Sequence, residues 1–146
     1  MLKGIPKIIS PELIKVLMEM GHGDEIIISD GNFPAAALAS HLVRADGHNV
    51  PELLDAILQF FPLDPYVETA VSLMQVVPGD TVKTPIWEEY RAIVKKHDVN
   101  FKDFESVERF AFYERAKSAY AVVSSGESAL YANIILRKGV VIEWYK

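Results

Sequence analysis

A chain of 146 residues without a cysteine can hold neither a disulfide nor a thiol nucleophile. Its formal net charge of −5 opposes nucleic-acid binding, which wants clustered Lys and Arg. Half of its residues are hydrophobic, yet charges interrupt every apolar run short of the roughly 20 residues that span a bilayer.

The length suits a single domain over residues 1–146, with enough buried surface to fold without staples. A mean hydropathy of +0.13 is high for a small monomer, so other subunits are expected to cover part of the surface. The start "MLKGIPKIISPEL" lacks a signal-peptide core and cleavage site, and a cytoplasmic location is expected. The pairs Lys95-Lys96 and Arg137-Lys138 read as solvated faces. Neither nucleic acid nor a membrane is an expected partner.

Along the chain, Ser10, Pro11 and Glu12 punctuate the start of a helix over residues 10–20. Leu13, Val16, Leu17 and Met20 form its apolar face, and Gly21 is placed to end it. "EIIIS" reads as a strand buried on both faces, and "GNFPAAA" as a turn that Pro34 keeps from extending it. "HLVRAD" is a second strand, followed by a helix from Pro51 to Phe60. "AVSLMQVV" is a third strand, closed by the turn Pro78-Gly79-Asp80. Thr84 and Pro85 open a helix whose Ile86, Trp87, Tyr90, Ile93 and Val94 share a face. "FAFYERAKSA" is largely helical, and the strands "YAVVS" and "NIILR" flank the turn "SGES". Alternating helices and buried strands predict an α/β fold layered helix–sheet–helix. No GxGxxG or Walker-type loop supports a nucleotide cofactor.

Several groups could carry chemistry. His22, between Gly21 and Gly23, is of a residue type that can move protons, or it is simply tolerated in a glycine-rich turn. Asp30 follows a buried strand, where α/β sheets place ligands; it can bind sugar hydroxyls or cap the turn at Gly31-Asn32. Arg109 and Tyr113 are four apart and align on a helix. Tyr131 and Asn133 are two apart and would face the same way in a strand. No metal is expected, since His41, His48 and His97 show no ligand spacing around "HGDE". Ser124 and Ser125 lie in no nucleophile elbow and read as a plain turn.

Read together, "MGHGDEIIISDGNFPA", "RADG" and "ERFAFYERAKSAYAVVSSGESALYANIILRKGV" resemble the family of D-ribose pyranases and L-fucose mutarotases, in order and over nearly the whole chain. "GHGDE", "NFPA" and "RFAFYERA" resemble the fucose branch. The resemblance implies that family's fold and a cofactor-free isomerase that interconverts ring forms of a reducing sugar. It implies His22 as general acid/base, and Asp30, Arg109, Tyr131, Ala132 and Asn133 as sugar-binding residues. Tyr113 joins them through its spacing from Arg109, where ribose-type members tend to carry His. The implied partners are a monosaccharide, L-fucose first with D-ribose as the alternative, and further copies of the chain in a ring, commonly a decamer. A catalytically silent sugar-binding protein is the alternative of another class. On this reading Gly21 and Gly23 let the sugar approach His22 closely.

Overall fold

The computed structural model describes residues 1–143. The chain runs α1 (Pro11–Glu19), β1 (Glu25–Ser29), α2 (Ala35–Leu38), β2 (Leu42–Ala45), α3 (Val50–Leu58) and β3 (Val71–Met74). It continues with α4 (Ile86–His97), β4 (Glu105–Val107), α5 (Arg109–Ser118), β5 (Ala121–Ser125) and β6 (Ile134–Arg137). The strands form one six-stranded sheet in the order β2-β5-β1-β6-β3-β4. Neighbours pair in parallel except at β6, which is antiparallel to both β1 and β3.

Side-chain alternation builds the layers. Ile26 and Ile28 of β1, with Leu136 and Ile134 opposite them on β6, point to the face covered by α1, α3 and α4. Ile27, with Ile135 opposite, points to the other face, where Phe112 and Ala116 of α5 and Ala35 of α2 cover it. All three isoleucines are fully buried, which is why β1 is a continuous apolar run rather than an alternating one. The helix–sheet–helix layering expected from sequence is the architecture observed.

Punctuation worked where the residue contacts its own backbone. The Ser10 side chain accepts the N–H of Leu13, and Asn49 and Glu52 form a capping box at α3. Two readings need correction, and one strand left too little signal to be read. Helix α1 ends at Met20 in extended backbone (φ −65°, ψ 136°), so Gly21 does not terminate it in the left-handed way; Gly23 takes the positive φ of 87°. "GNFPAAA" contains the one-turn helix α2, because Pro34 halts a strand yet suits a helix start, and alanine follows. The short edge strand β4 has only Val107 buried and left no periodic signal. The strands flanking "SGES" are present as read, as β5 and β6, and β1 lies between them in the sheet. The C-terminal "VIEWYK" falls partly outside the described residues.

Within that turn, Gly126 donates its N–H to the carbonyl of His48, and a Cβ there would overlap the carbonyl oxygen of Asp46. Replacing it with alanine should push the turn off the end of β2. Gly126→Ala is expected to lower stability by about 1–3 kcal/mol, read as a lower urea midpoint at unchanged slope.

Candidate functional site

Asp30 is the first residue past the end of β1, and Asn133 immediately precedes the oppositely directed β6, so the two stand side by side. The end of β3 at Met74 and the first turn of α5 close the same end of the sheet. Together they line a cavity of about 290 Å³ that includes Asp30, Phe33, Asp80, Arg109, Tyr113, Tyr131 and Asn133. It lies outside the carboxyl ends of β1, β3 and β4, the usual place for a ligand in a largely parallel sheet.

The polar groups are held by short local bonds. Asp30 donates its N–H to Asn133 Oδ1 at 2.8 Å and accepts the Asn32 N–H on Oδ1 at 3.0 Å. The turn-capping reading of Asp30 is therefore what the structure shows. Asn133 spends its carbonyl on this bond, and its Nδ2 donor has no partner among the described residues. Burial pushes the Asp30 carboxyl above its ordinary value; N–H groups of Asn32, Ala132 and Phe33 oppose the rise, and the Glu127 charge adds to it.

Tyr131 is not in a strand. It has φ 55°, the one positive φ on a non-glycine among the described residues, a conformation that persists only when its surroundings hold it. Helix α4 supplies that hold. Trp87 Nε1 donates to the Tyr131 carbonyl at 2.8 Å, and the buried Tyr90 hydroxyl donates to the Ala132 carbonyl at 2.6 Å. The Tyr131 hydroxyl donates to Asp80 Oδ2 at 2.8 Å, which raises the phenol above its ordinary value and lowers the Asp80 carboxyl. Ala132 itself is fully buried and contributes backbone only.

Arg109 and Tyr113 meet as their spacing requires, with Arg109 Nε donating to the Tyr113 hydroxyl at 3.3 Å. A cation in the first turn of a helix is unfavourable by dipole. Glu108 offsets it: its carboxylate caps α5 by accepting the N–H groups of Phe110 and Ala111, which lower the Glu108 carboxyl.

His22 is not in this cavity. It precedes β1 and stands at the opposite end of the sheet, beside the end of β6. The five residues of β1 alone separate the two ends by about 16 Å. There His22 Nε2 lies 3.2 Å from Asp64 Oδ1, and its ring lies 5.5 Å from that of Tyr66. Arg137 Nε donates to Asp64 Oδ2 at 3.0 Å, so Arg137 is half solvated as read and also pairs with a buried carboxylate. A Cβ at Gly23 would sit 3.3 Å from Arg137 Nη2, and Gly23 donates to the Lys138 carbonyl at 2.8 Å. In this chain Gly23 thus serves the turn and the guanidinium; a Cβ at Gly21 would meet only Asp24 Oδ2, at an ordinary 3.7 Å.

Asp64, Asp80, Trp87 and Tyr90 were not singled out by sequence. Trp87 and Tyr90 were read only as helix-face apolar residues, and Asp80 only as a turn. An acid between the prolines of "PLDP" was the available signal for Asp64. A larger cavity of about 510 Å³ lies at the His22 end, between the Pro62–Val71 segment and the end of α4, but the carboxylate of Asp64 that lines it is already engaged. The Ser125 hydroxyl donates to the Ser29 carbonyl inside the sheet, a structural bond. Among the described residues no group of three or more His, Asp or Glu is placed to hold a metal, and no helix is long and apolar enough to cross a membrane.

Residues 3–141 match the RbsD / FucU transport protein family. The chain belongs to this family. Among RbsD/FucU relatives, an L-fucose mutarotase of Actinobacillus pleuropneumoniae is 55% identical over 140 residues, covering 96% of this chain and 97% of its own. The crystal structure of a fucose mutarotase from Streptococcus pneumoniae in complex with L-fucose has a TM-score of 0.92 and 54% identity, covering 97% of this chain and all of that one. FucU from Bifidobacterium longum has a TM-score of 0.94 and 60% identity over 96% of this chain and all of its own.

The state of Asp30 gives the cavity a pH signature. A carboxyl raised by folding favours the protonated fold, so its contribution to stability falls as pH rises from the unfolded carboxylate value through the folded one. Asp30→Asn removes that loss while keeping an acceptor for the Asn32 N–H. The variant is expected to be more stable than the parent at pH 7, with an advantage that shrinks toward pH 4, in urea titrations at both pH values.

Proposed function

We propose that the chain interconverts the α and β anomers of L-fucose by opening and reclosing the sugar ring, as one mutarotase domain that needs no cofactor. The observation that carries this reading is the cavity at the end of β1. It gathers an acceptor carboxylate, a free amide donor, a guanidinium and two phenols in a space suited to a small ligand. Its other wall, Phe33, Met74, Val77 and Leu130, is apolar and suits the C5 methyl group of a 6-deoxy sugar. The fucose mutarotase names of relatives more than half identical over nearly the whole chain support the same substrate.

The chemistry needs one proton shuttle. A base takes the proton from the anomeric O1, the C1–O5 bond breaks, and O5 gains a proton as O1 becomes the aldehyde oxygen. Rotation about C1–C2 turns the other face of the carbonyl to O5, and the reverse steps close the ring. An imidazole that accepts the O1 proton and returns it to O5 balances the cycle with no net electron transfer. We assign that role to His22. Asp30, Arg109, Asn133, Tyr131 and Tyr113 hold the hydroxyls, with Ala132 supplying backbone.

A complete site then takes His22 from one copy and the cavity from a neighbour. In support, Tyr66 beside His22 is 70% exposed, and Phe110 and Leu130 at the cavity end are 66% and 51% exposed. Two different apolar rims at opposite ends of one chain suit head-to-tail contacts, which close into rings.

Magnetisation-transfer NMR of anomer exchange tests the assignment. His22→Ala should lose on the order of 10²–10⁴-fold in exchange while still binding fucose; parental exchange would overturn the shuttle. Co-refolded His22→Ala and Arg109→Ala chains should regain activity, with both residues intact at about a quarter of the boundaries. Mixed assemblies that stay inactive would place both residues in one copy's site.

Sugar choice is a separate expectation. Arg109 offers a planar fork of donors, so L-fucose should exchange faster than D-ribose at equal concentration, and Arg109→His should narrow the preference. A ribose preference in the parent would move the substrate to the pyranase class.

A further inference from the structure

His22 stands on a built support. Its side chain is 46% exposed, whereas that of Asp64 beneath it is 1% exposed. Three contacts hold the Asp64 carboxylate. Oδ2 accepts from Arg137 Nε at 3.0 Å, while Oδ1 accepts the Tyr66 N–H at 3.0 Å and faces His22 Nε2 at 3.2 Å. Asp64 is itself fixed, because its N–H donates to the Arg137 carbonyl at 3.0 Å and Leu63 bridges to Lys138 at the end of β6. The opposite flank is tied to the same strand, with Gly23 donating to the Lys138 carbonyl and Lys138 to that of Asp24, each at 2.8 Å. The loop that carries His22 and the carboxylate that meets it therefore share one rigid reference, the end of β6.

A carboxylate bonded to a guanidinium is an acceptor only. In the neutral ring its neighbour's Nε2 then carries the hydrogen, and Nδ1 is left as the nitrogen with a free lone pair. No described residue bonds to Nδ1, and the ring is half exposed.

Resting on the reading of His22 as proton shuttle, we propose that Asp64, braced by Arg137, is a positioning residue that locks the imidazole as its Nε2–H tautomer and makes Nδ1 the atom that exchanges protons with the sugar. Asp64 does not touch the sugar. It acts by removing ring rotation and the wrong tautomer from the resting state, as the aspartate of a serine-protease triad orients its histidine. Arg137 in turn keeps the carboxylate from being a buried charge with only a neutral partner.

The full-length protein labelled with ¹⁵N-histidine tests this directly. His22 is assigned as the signal that His22→Gln removes, and its neutral form should show protonated Nε2 and bare Nδ1. A dominant Nδ1–H form overturns the proposal. Asp64→Ala should mix the tautomers and lower kcat for fucose exchange on the order of 10–100-fold, with KM within twofold of the parent because the cavity is untouched. An Asp64→Ala protein that keeps both kcat and tautomer overturns it as well, and if that variant does not fold, the parent's tautomer decides. His22→Ala is measured alongside. Full exchange in that variant removes the shuttle itself and the positioning role with it. An inactive His22→Ala beside a fully active Asp64→Ala leaves the shuttle standing and removes the positioning role alone.

Discussion

Antiparallel pairing of β1 with β6 sets Glu25 opposite Arg137 at one end of the ladder and Ile28 opposite Ile134 at the other. Polar groups gather at each end: Arg137 on the last rung with His22 and Asp64 beside it at one, Asp30 and Asn133 at the other. The ladder is central in the sheet and its three isoleucines are fully buried on both faces. It cannot bend to bring its ends together without opening both cores. That rigidity keeps the two groups apart in one copy, and it is the physical reason that assembly, not closure, is the proposed way to complete the site.

Two buried aspartates show how the same burial has opposite results. At Asp30 it outweighs three N–H groups, and the carboxyl is raised. At Asp64 burial also pushes upward, but the Tyr66 N–H, Arg137 and His22 outweigh it and the carboxyl is lowered. Asp64 is thus a satisfied charge with a structural setting, whereas Asp30 is an incompletely satisfied acceptor in a cavity. On the proposed reading a sugar hydroxyl would donate to Asp30, the carboxyl whose ionised form folding disfavours. The left-handed Tyr131 repeats the pattern, with α4 holding an unfavourable backbone next to the same cavity.

Much of the fold was legible because it is written locally. The cap at Ser10 acts on an N–H group three residues away, and the run "EIIIS" declares a strand buried on both faces. Of the site, Asp30, Arg109, Tyr113, Tyr131 and Asn133 were placed together by motif and resemblance, and the cavity contains all five. What was not legible depended on partners distant in sequence. The contact of "AVSLMQVV" with its neighbour β4 ends with the Gln75 N–H on the Val107 carbonyl, 32 residues away. Arg137 looked like half of a basic pair because its acid lies 73 residues away.

The sequence by itself determined the α/β class, the order of most elements, the family and the residues that gather at the end of β1. These follow from hydrophobic period, from caps and from motifs, whose physics acts over a few residues. Only the tertiary structure decided that β6 runs backwards between β1 and β3, that Asp64 and Arg137 stand under His22, and that His22 is at the far end of the sheet from Asp30. Strand order and direction come from burying two faces of one sheet at once. That is a property of the whole packed set of strands and helices, and no short stretch of sequence carries it.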